Sequence, residues 1–346
     1  MAGYIVRRLL LSVVLLLAVV AVTYITFFVI PTERSRSVTR NELSASDIRT
    51  AIGVHGPVYQ EYAQYVWKLA HGSLGHSYRG RVPVSTIIVN AAPITASLVL
   101  GGAVMWLLIA FPVGVLSALR PRSVFDRAAM ILVLAGISVH PLWLGLVLSY
   151  VLGYRAHLFP LGGYCDVFNP PPGAYCGGPV QWAYHLFLPW LTFATLYGAL
   201  YVRMVRATVA ETLHEDYVRT ARAKGAPEWR VIRSHVLRNA LLPILTMTGM
   251  DVGIALGGTI FVENVFGLGG LGQTMIRAVQ TYDLPIILGV IIVTTVAIVT
   301  LNLLVDVIYA LIDPRVRPAR APDGEEAAQV ASRAQVKSSV AEGVPG

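Results

Sequence analysis

Few residues in this sequence have both the type and the spacing to do chemistry, and they are scattered. Gly267, Gly269 and Gly272 match the Gly-x-Gly-x-x-Gly spacing of a dinucleotide-binding turn. Such a site needs a strand before the glycines and a helix after them. Here an apolar helical run precedes them, so a tight turn is the expectation. The Gly-x-x-x-x-Gly-Lys-Ser/Thr spacing of a phosphate-binding loop does not occur, and any ATP hydrolysis must come from a partner. Cys165 and Cys176 are the only cysteines. They are expected to be bonded, with two free thiols as the alternative; a bridge would close a loop of about 12 residues and contribute roughly 3 kcal/mol. Asp251 interrupts an apolar run from Leu241 to Phe261. A carboxylate at that depth is costly and faces a polar cavity or a partner, so lining a pathway and bonding to a neighbouring helix both stay open. His140, beside Pro141, has no second His or carboxylate at helical spacing and is read as a packing group. Asp306 is read as structural. No catalytic cluster, metal set or cofactor site emerges, so the chain is not expected to be an enzyme.

The elements that must position these residues are membrane helices. Of 346 residues, 55% are hydrophobic and only 13% charged, about half the charge of a soluble protein. Asp, Glu, Lys and Arg are absent from 9–32, 82–119, 128–154, 167–202 and 284–305, each long enough to span a bilayer. With 241–261 these make six expected spans. Backbone groups in lipid must bond within their own segment, which requires helices; the runs do not alternate as barrel strands do. The first run exceeds the apolar core of a signal peptide and is read as a retained helix.

The net charge of +8 is distributed with a bias. Arg7 and Arg8 precede the first run, Arg120, Arg122 and Arg127 follow the second, and Arg315, Arg317 and Arg320 follow the last. The segment 203–238 holds eight basic and four acidic residues. Cytoplasmic loops carry such excess, so both termini are expected inside, and nucleic-acid binding is excluded as the reason for the basic residues. The cysteine loop then lies outside, where disulfides persist.

The chain divides into four regions. Residues 1–32 form the first helix. Residues 33–91 are extracytoplasmic; Gly56-Pro57 opens a helix there, and Tyr59, Tyr62, Ala63, Val66, Trp67 and Ala70 recur on one face. Residues 92–312 hold five spans, with a loop over 155–184 rich in Pro and Gly that is open to docking or to passive covering. Residues 313–346 are a cytoplasmic tail, poor in bulky apolar residues beyond about 320 and expected to lack order.

The most informative segment is 203–243. It is too long for a minimal connection and reads as two short helices. The first ends at Lys224-Gly225, with Pro227 just beyond; a cation, a Gly and a Pro in that order form a strong stop signal. The second starts at Pro227-Glu228 and runs to about Asn239, before a span near Pro243. Two helices with a sharp bend form a stiff knob, able to transmit force from a partner.

Asp216-Tyr-Val-Arg-Thr-Ala-Arg-Ala-Lys-Gly225 resembles the EAA loop of permeases in binding-protein-dependent ABC importers, in the version of the dipeptide/oligopeptide/nickel family. Arg219-Thr220-Ala221 stands where the general pattern has Glu-Ala-Ala. Tyr4-Ile-Val-Arg-Arg-Leu-Leu, His71-Gly-Ser-Leu-Gly75, Phe261-Val-Glu263-Asn-Val-Phe266, Gly269-Gly270-Leu-Gly272, Asn302-Leu-Leu-Val-Asp306-Val-Ile-Tyr309 and Asp313-Pro-Arg-Val-Arg317 are similar to other elements of that family, over about residues 1–318. The resemblance implies an all-α, six-helix type I importer permease of the bacterial cytoplasmic membrane, with both termini cytoplasmic. It implies that Asp216, Tyr217, Arg219, Thr220, Ala221, Lys224 and Gly225 couple to an ATPase. Its implied partners are a second homologous permease, two cytoplasmic ATPases that bind the ATP and Mg, an external substrate-binding lipoprotein and membrane lipid. Peptides are the expected cargo; nickel or another small solute, and a secondary transporter, are the alternatives.

Overall fold

A computed structural model describes residues 2–25, 58–167 and 176–312. The tail beyond 312, the segment 26–57, the Pro170–Pro172 stretch and the side chain of Asp306 lie outside the described residues, and the expectations for those parts lie outside them too. Within the described residues the chain is helical, and its one β feature is an isolated antiparallel bridge between His76 and Pro83.

In chain order the helices are α1 (Ala2–Tyr24), α2 (Val58–Ala70), α3 (Val84–Leu119), α4 (Val124–Ser138), α5 (Pro141–Leu148), α6 (Gly178–Thr212), α7 (Asp216–Ala223), α8 (Glu228–Val231), α9 (Arg238–Phe266), α10 (Leu271–Thr281) and α11 (Leu284–Ile312). Short π-helical stretches extend α5 over Ser149–Arg155 and join α8 to α9 over Ile232–Leu237. Four helices are long and apolar enough to cross a membrane: α3, α6, the continuous Glu228–Phe266 and the Leu284–Val305 part of α11. The apolar part of α1 spans Leu10–Thr23.

The remaining expected span, 128–154, is not one helix. It breaks between α4 and α5 with a bend of 106°. Pro141 lacks the N–H that a helix interior requires, and it pushes its predecessor out of the α region. His140 accordingly has φ −71 and ψ 134, and its ring nitrogen accepts from the Leu142 N–H at 3.2 Å, capping α5. His140 therefore sits in the break, not inside a helix. Two further expectations are corrected. The span expected within 167–202 is α6, which starts at Gly178, after an extended Gly177, with Pro179 in its first turn, and continues past the charge-free run to Thr212. The outer loop is thus shorter than 155–184. The second helix of the 203–243 segment also does not stop near Asn239, because the π-helical turn carries it without a break into α9.

The core lies between α3 and α6. Leu98, Val99, Trp106 and Ala110 meet Leu186, Phe193, Val202 and Val205 there, all almost fully buried. Large apolar side chains elsewhere face outward, among them Leu108, Ile131, Leu132 and Leu134, each at least 66% exposed; in water such a surface would associate, whereas lipid solvates it. Helix α2 packs on α1 and α11 through Tyr62, Val66 and Leu69 around Val20 and Ile292, and the Tyr62 hydroxyl donates to Leu17 O at 3.2 Å. The buried stripe differs from the expected one: Trp67 is 67% exposed and lies against the His71 ring.

One polar knot ties the helix ends on the α7 side. The Asp126 carboxylate, 4% exposed, accepts from Arg206 Nε at 2.7 Å and Arg206 Nη2 at 3.0 Å. It also accepts from the Arg122 N–H at 2.9 Å and from the Ser117 hydroxyl. Three segments meet on one carboxylate: the end of α3, the start of α4 that follows it closely, and the lower part of α6, 80 residues further on. Removing the acid leaves the buried Ser117 hydroxyl and the partly exposed Arg206 without their acceptor, which weakens the joint between the helices. Asp126→Ala is therefore expected to lower the apparent melting temperature of the purified protein by several degrees, read by fluorescence in detergent. A curve matching the unaltered protein would show that the knot contributes nothing to stability.

Candidate functional site

The knob is built from the end of α6 outward. After Thr212 the chain turns, with His214 N–H bonding Glu211 O at 3.0 Å and Glu215 N–H bonding Thr212 O at 3.2 Å. Eight residues of α7 come next, about 12 Å of helix. Asp216 lies in its first turn and Arg222 in its last, both on the side that the helix dipole favours. Val218 is fully buried and joins Val209, Val231, Val236 and Ala240 in the core. That side chain pins the short helix to the ends of α6 and α9.

The exit from α7 is a Schellman turn. Ala226 N–H reaches back to Ala221 O at 3.2 Å and Gly225 N–H to Arg222 O at 2.9 Å, the paired bonds of that motif. The geometry needs a left-handed residue, and Gly225 has φ +77. Across the bend Arg222 clamps Glu228 with Nη2–Oε1 2.6 Å and Nε–Oε2 3.2 Å. This hydrogen bond, more than the opposite charge, raises the Arg222 pKa. An exposed pair adds little stability, but a bidentate one fixes the angle between the two helices.

Of the residues singled out by sequence, Asp216, Tyr217, Arg219, Thr220, Lys224 and Gly225 are exposed together on the outer surface of the knob. Ala221 is turned inward and packs against the core. Sequence reasoning missed Val218, the Arg222–Glu228 clamp and Trp229, which is 68% exposed with the Arg233 guanidinium 6.0 Å from its ring centroid. The Val218 signal was present as an apolar residue alone in a polar turn.

Asp251 lies on α9, partly exposed. It accepts from the Tyr201 hydroxyl of α6 at 2.7 Å. Tyr201 is 2% exposed and, with Tyr197, contacts the ring of Trp106 at centroid distances of 5.9 and 4.7 Å. Among the described residues Asp251 has no cationic partner.

A second carboxylate is not marked out by its sequence context. Glu263, fully buried at the far end of α9, accepts from the Thr95 hydroxyl at 2.6 Å and from the Gln273 N–H at 3.0 Å. Thr95 in turn accepts from the Leu271 N–H at 2.8 Å. Helix α10 has Gly270 at its N-cap and no side-chain cap of its own; Glu263 and Thr95 supply it from α9 and α3, and the dipole favours the anion. The glycine motif is what lets them approach, since a Cβ on Gly270 would lie 2.6 Å from the Glu263 carboxyl and one on Gly272 2.6 Å from Ile260 Cα. Its chemistry is that of a tight turn around an acid.

Cys165 and Cys176 are joined as a disulfide with Cα atoms 5.4 Å apart. His185 Nδ1 is 3.3 Å from Cys165 Sγ. The three residues cluster closely enough to suggest a metal set, but bridged sulfurs offer no thiolate to an ion.

Comparison with known proteins agrees with this geometry. Residues 110–318 match the family described as binding-protein-dependent transport system inner membrane component, and residues 1–99 match its N-terminal counterpart. The dipeptide transport system permease protein DppB of Escherichia coli (strain K12) is 36% identical over 281 residues, covering 77% of this chain and 83% of that one. The oligopeptide transport system permease protein AppB of Bacillus subtilis (strain 168) is 33% identical over 320 residues, covering 91% and 99%. Among solved structures, a chain of the MetNI methionine ABC transporter superposes with a TM-score of 0.53 at 17% identity, covering 66% of this chain and 96% of that one, which shows the type I importer fold. The chain belongs to the family of binding-protein-dependent transport system inner membrane components: multi-pass permease subunits of ABC importers, which leave ATP hydrolysis to a separate subunit.

Proposed function

We propose that this chain is one of two pore-forming permeases in an ATP-driven importer of di- or oligopeptides, and that α7 is the element an ATPase grips. The observation that carries this reading is the construction of the knob. An exposed polar and aromatic surface is held on a two-turn helix that is pinned by Val218, locked by the Schellman turn and clamped by Arg222–Glu228. A partner that pulls on it moves the ends of α6 and α9 together. The peptide cargo is supported by the names of the dipeptide and oligopeptide permeases to which the chain is similar. The partners in this reading are a homologous second permease, two ATPases that bind ATP and Mg, and an external binding lipoprotein. The arginine distribution supports six crossings with both termini in the cytoplasm.

Asp251 belongs to the pathway in this reading. Its carboxylate is accessible, its charge is unbalanced among the described residues, and an acid in a span is retained for a polar cavity or a partner. Asp251→Asn keeps an acceptor for Tyr201 and removes the charge. Peptide uptake into proteoliposomes is expected to fall roughly tenfold, about 1.4 kcal/mol, while the complex still assembles. Loss of assembly in step with uptake would assign the residue to packing instead.

The sharper test is Gly225→Val. A Cβ at this position meets nothing within 4 Å, so the whole effect comes from φ +77. Holding an L-residue left-handed costs about 1–2 kcal/mol, and a β-branched one suits the region least. The permease should reach the membrane but dock its ATPases poorly, with stimulation of hydrolysis by loaded binding protein largely lost. The measurement is ATPase activity of the reconstituted complex with and without that protein. Normal stimulation in the variant would remove Gly225 and its turn from coupling.

A further inference from the structure

A hairpin before α3 has a construction that neither packing nor topology calls for. Residues 76–83 fold back on themselves through the His76–Pro83 bridge, with Ser77 N–H bonding Val82 O at 3.0 Å and Arg81 N–H bonding Ser77 O at 3.1 Å. Its base is clamped by Asp283, a 2% exposed carboxylate between α10 and α11. Asp283 accepts from the Ser77 hydroxyl and, at 3.3 Å, from the Tyr78 N–H. The tip carries Arg79 and Arg81, both exposed. Neither is in an ion pair among the described residues. Arg81 has φ +51, a conformation that favours glycine and that a surrounding structure must enforce.

The position of the hairpin is set by the helices. The Ser117–Asp126–Arg206 knot puts the C-terminal end of α3 on the side of α7. The N-terminal end, where the hairpin sits, is 36 residues away, about 54 Å along the helix. With α7 at the ATPase, the hairpin is outside. Arginines at the outer end of a span run against the usual bias. Asp283, the carboxylate at the hairpin base, is buried and bonded to Ser77 and Tyr78, so among the described residues both guanidinium groups at the tip face outward without an ion-pair partner.

Resting on the importer reading above, we propose that the 76–83 hairpin is a preformed docking point for an acidic patch on the external substrate-binding protein. Two guanidinium groups on a backbone held at both ends lose little freedom on binding, which is what favours a shaped protein surface. A fluid layer of lipid headgroups requires no such fixed spacing. Complementary charge of this kind acts mainly on the rate of encounter and makes it dependent on salt.

The test uses the whole complex, with its ATPases, in nanodiscs of neutral lipid. The probe is the importer's own binding protein, purified and loaded with a dipeptide. For Arg79→Glu with Arg81→Glu, the association rate is expected to fall about tenfold or more, and its decline with added salt should flatten, while hydrolysis without binding protein stays unchanged. The Arg79→Gln, Arg81→Gln pair should show a smaller loss of the same kind, and it decides the matter if the charge-reversed pair does not assemble. Unaltered rate and salt dependence, beside normal binding by the starting complex, would overturn the docking role and leave the importer reading standing. An effect confined to discs of anionic lipid would overturn it in favour of a headgroup contact. A starting complex that binds no loaded binding protein at any salt would overturn both.

Discussion

In a hydrocarbon solvent every backbone amide must find its partner inside the chain, and the rest of this structure depends on that demand. Within a long helix the demand is met automatically. It returns wherever a helix stops or breaks, because the terminal N–H and C=O groups have no partner of their own. At three such places a side chain supplies one, locally or from another helix. Asp126 gathers the ends of α3, α4 and α6. Glu263 and Thr95 cap α10 from two other helices. His140 caps the second half of the broken span. Among the described residues the buried acids, Asp126, Glu263 and Asp283, all lie near helix ends. Asp251, only partly buried, is a charge at mid-helix.

How far this was legible depended on whether the partners were neighbours in sequence. The stop at Gly225 is written locally, since Lys224, Gly225 and Pro227 each act within a turn of one another. The long spans are likewise a local property of composition. The Asp126–Arg206 and Thr95–Glu263 pairs are separated by 80 and 168 residues, and no periodicity links them. In sequence Glu263 stands out only as part of a resemblance and not as a buried acid, because its burial comes from α3 and α10 closing over it. The break at His140 had a visible cause in Pro141, but an uninterrupted apolar run on both sides argued for a single helix. In α2 the apolar residues exceeded what one face needs, and only contact with α1 and α11 selects Tyr62, Val66 and Leu69 over Trp67.

Both ends of the molecule use a buried carboxylate to join helices, but they differ in what they expose. On the α7 side, an exposed surface is carried on a short helix and stiffened by a turn and a clamp. At the far end, carboxylates are buried and their donors are backbone N–H groups and hydroxyls, so that α10 and the 76–83 hairpin are fixed to the tops of α3, α9 and α11.

The unbroken run from Glu228 to Phe266 has a mechanical meaning. Its first residue is half of the clamp at the bend, and Glu263, near its last, is the cap of α10. The run is 39 residues long, about 58 Å of helix. In the importer reading, a displacement at the α7 end is carried along this one run toward the far end, through the π-helical turn at Ile232–Leu237 and past Pro243. Over that length a tilt of a few degrees at one end becomes a displacement of several ångströms at the other.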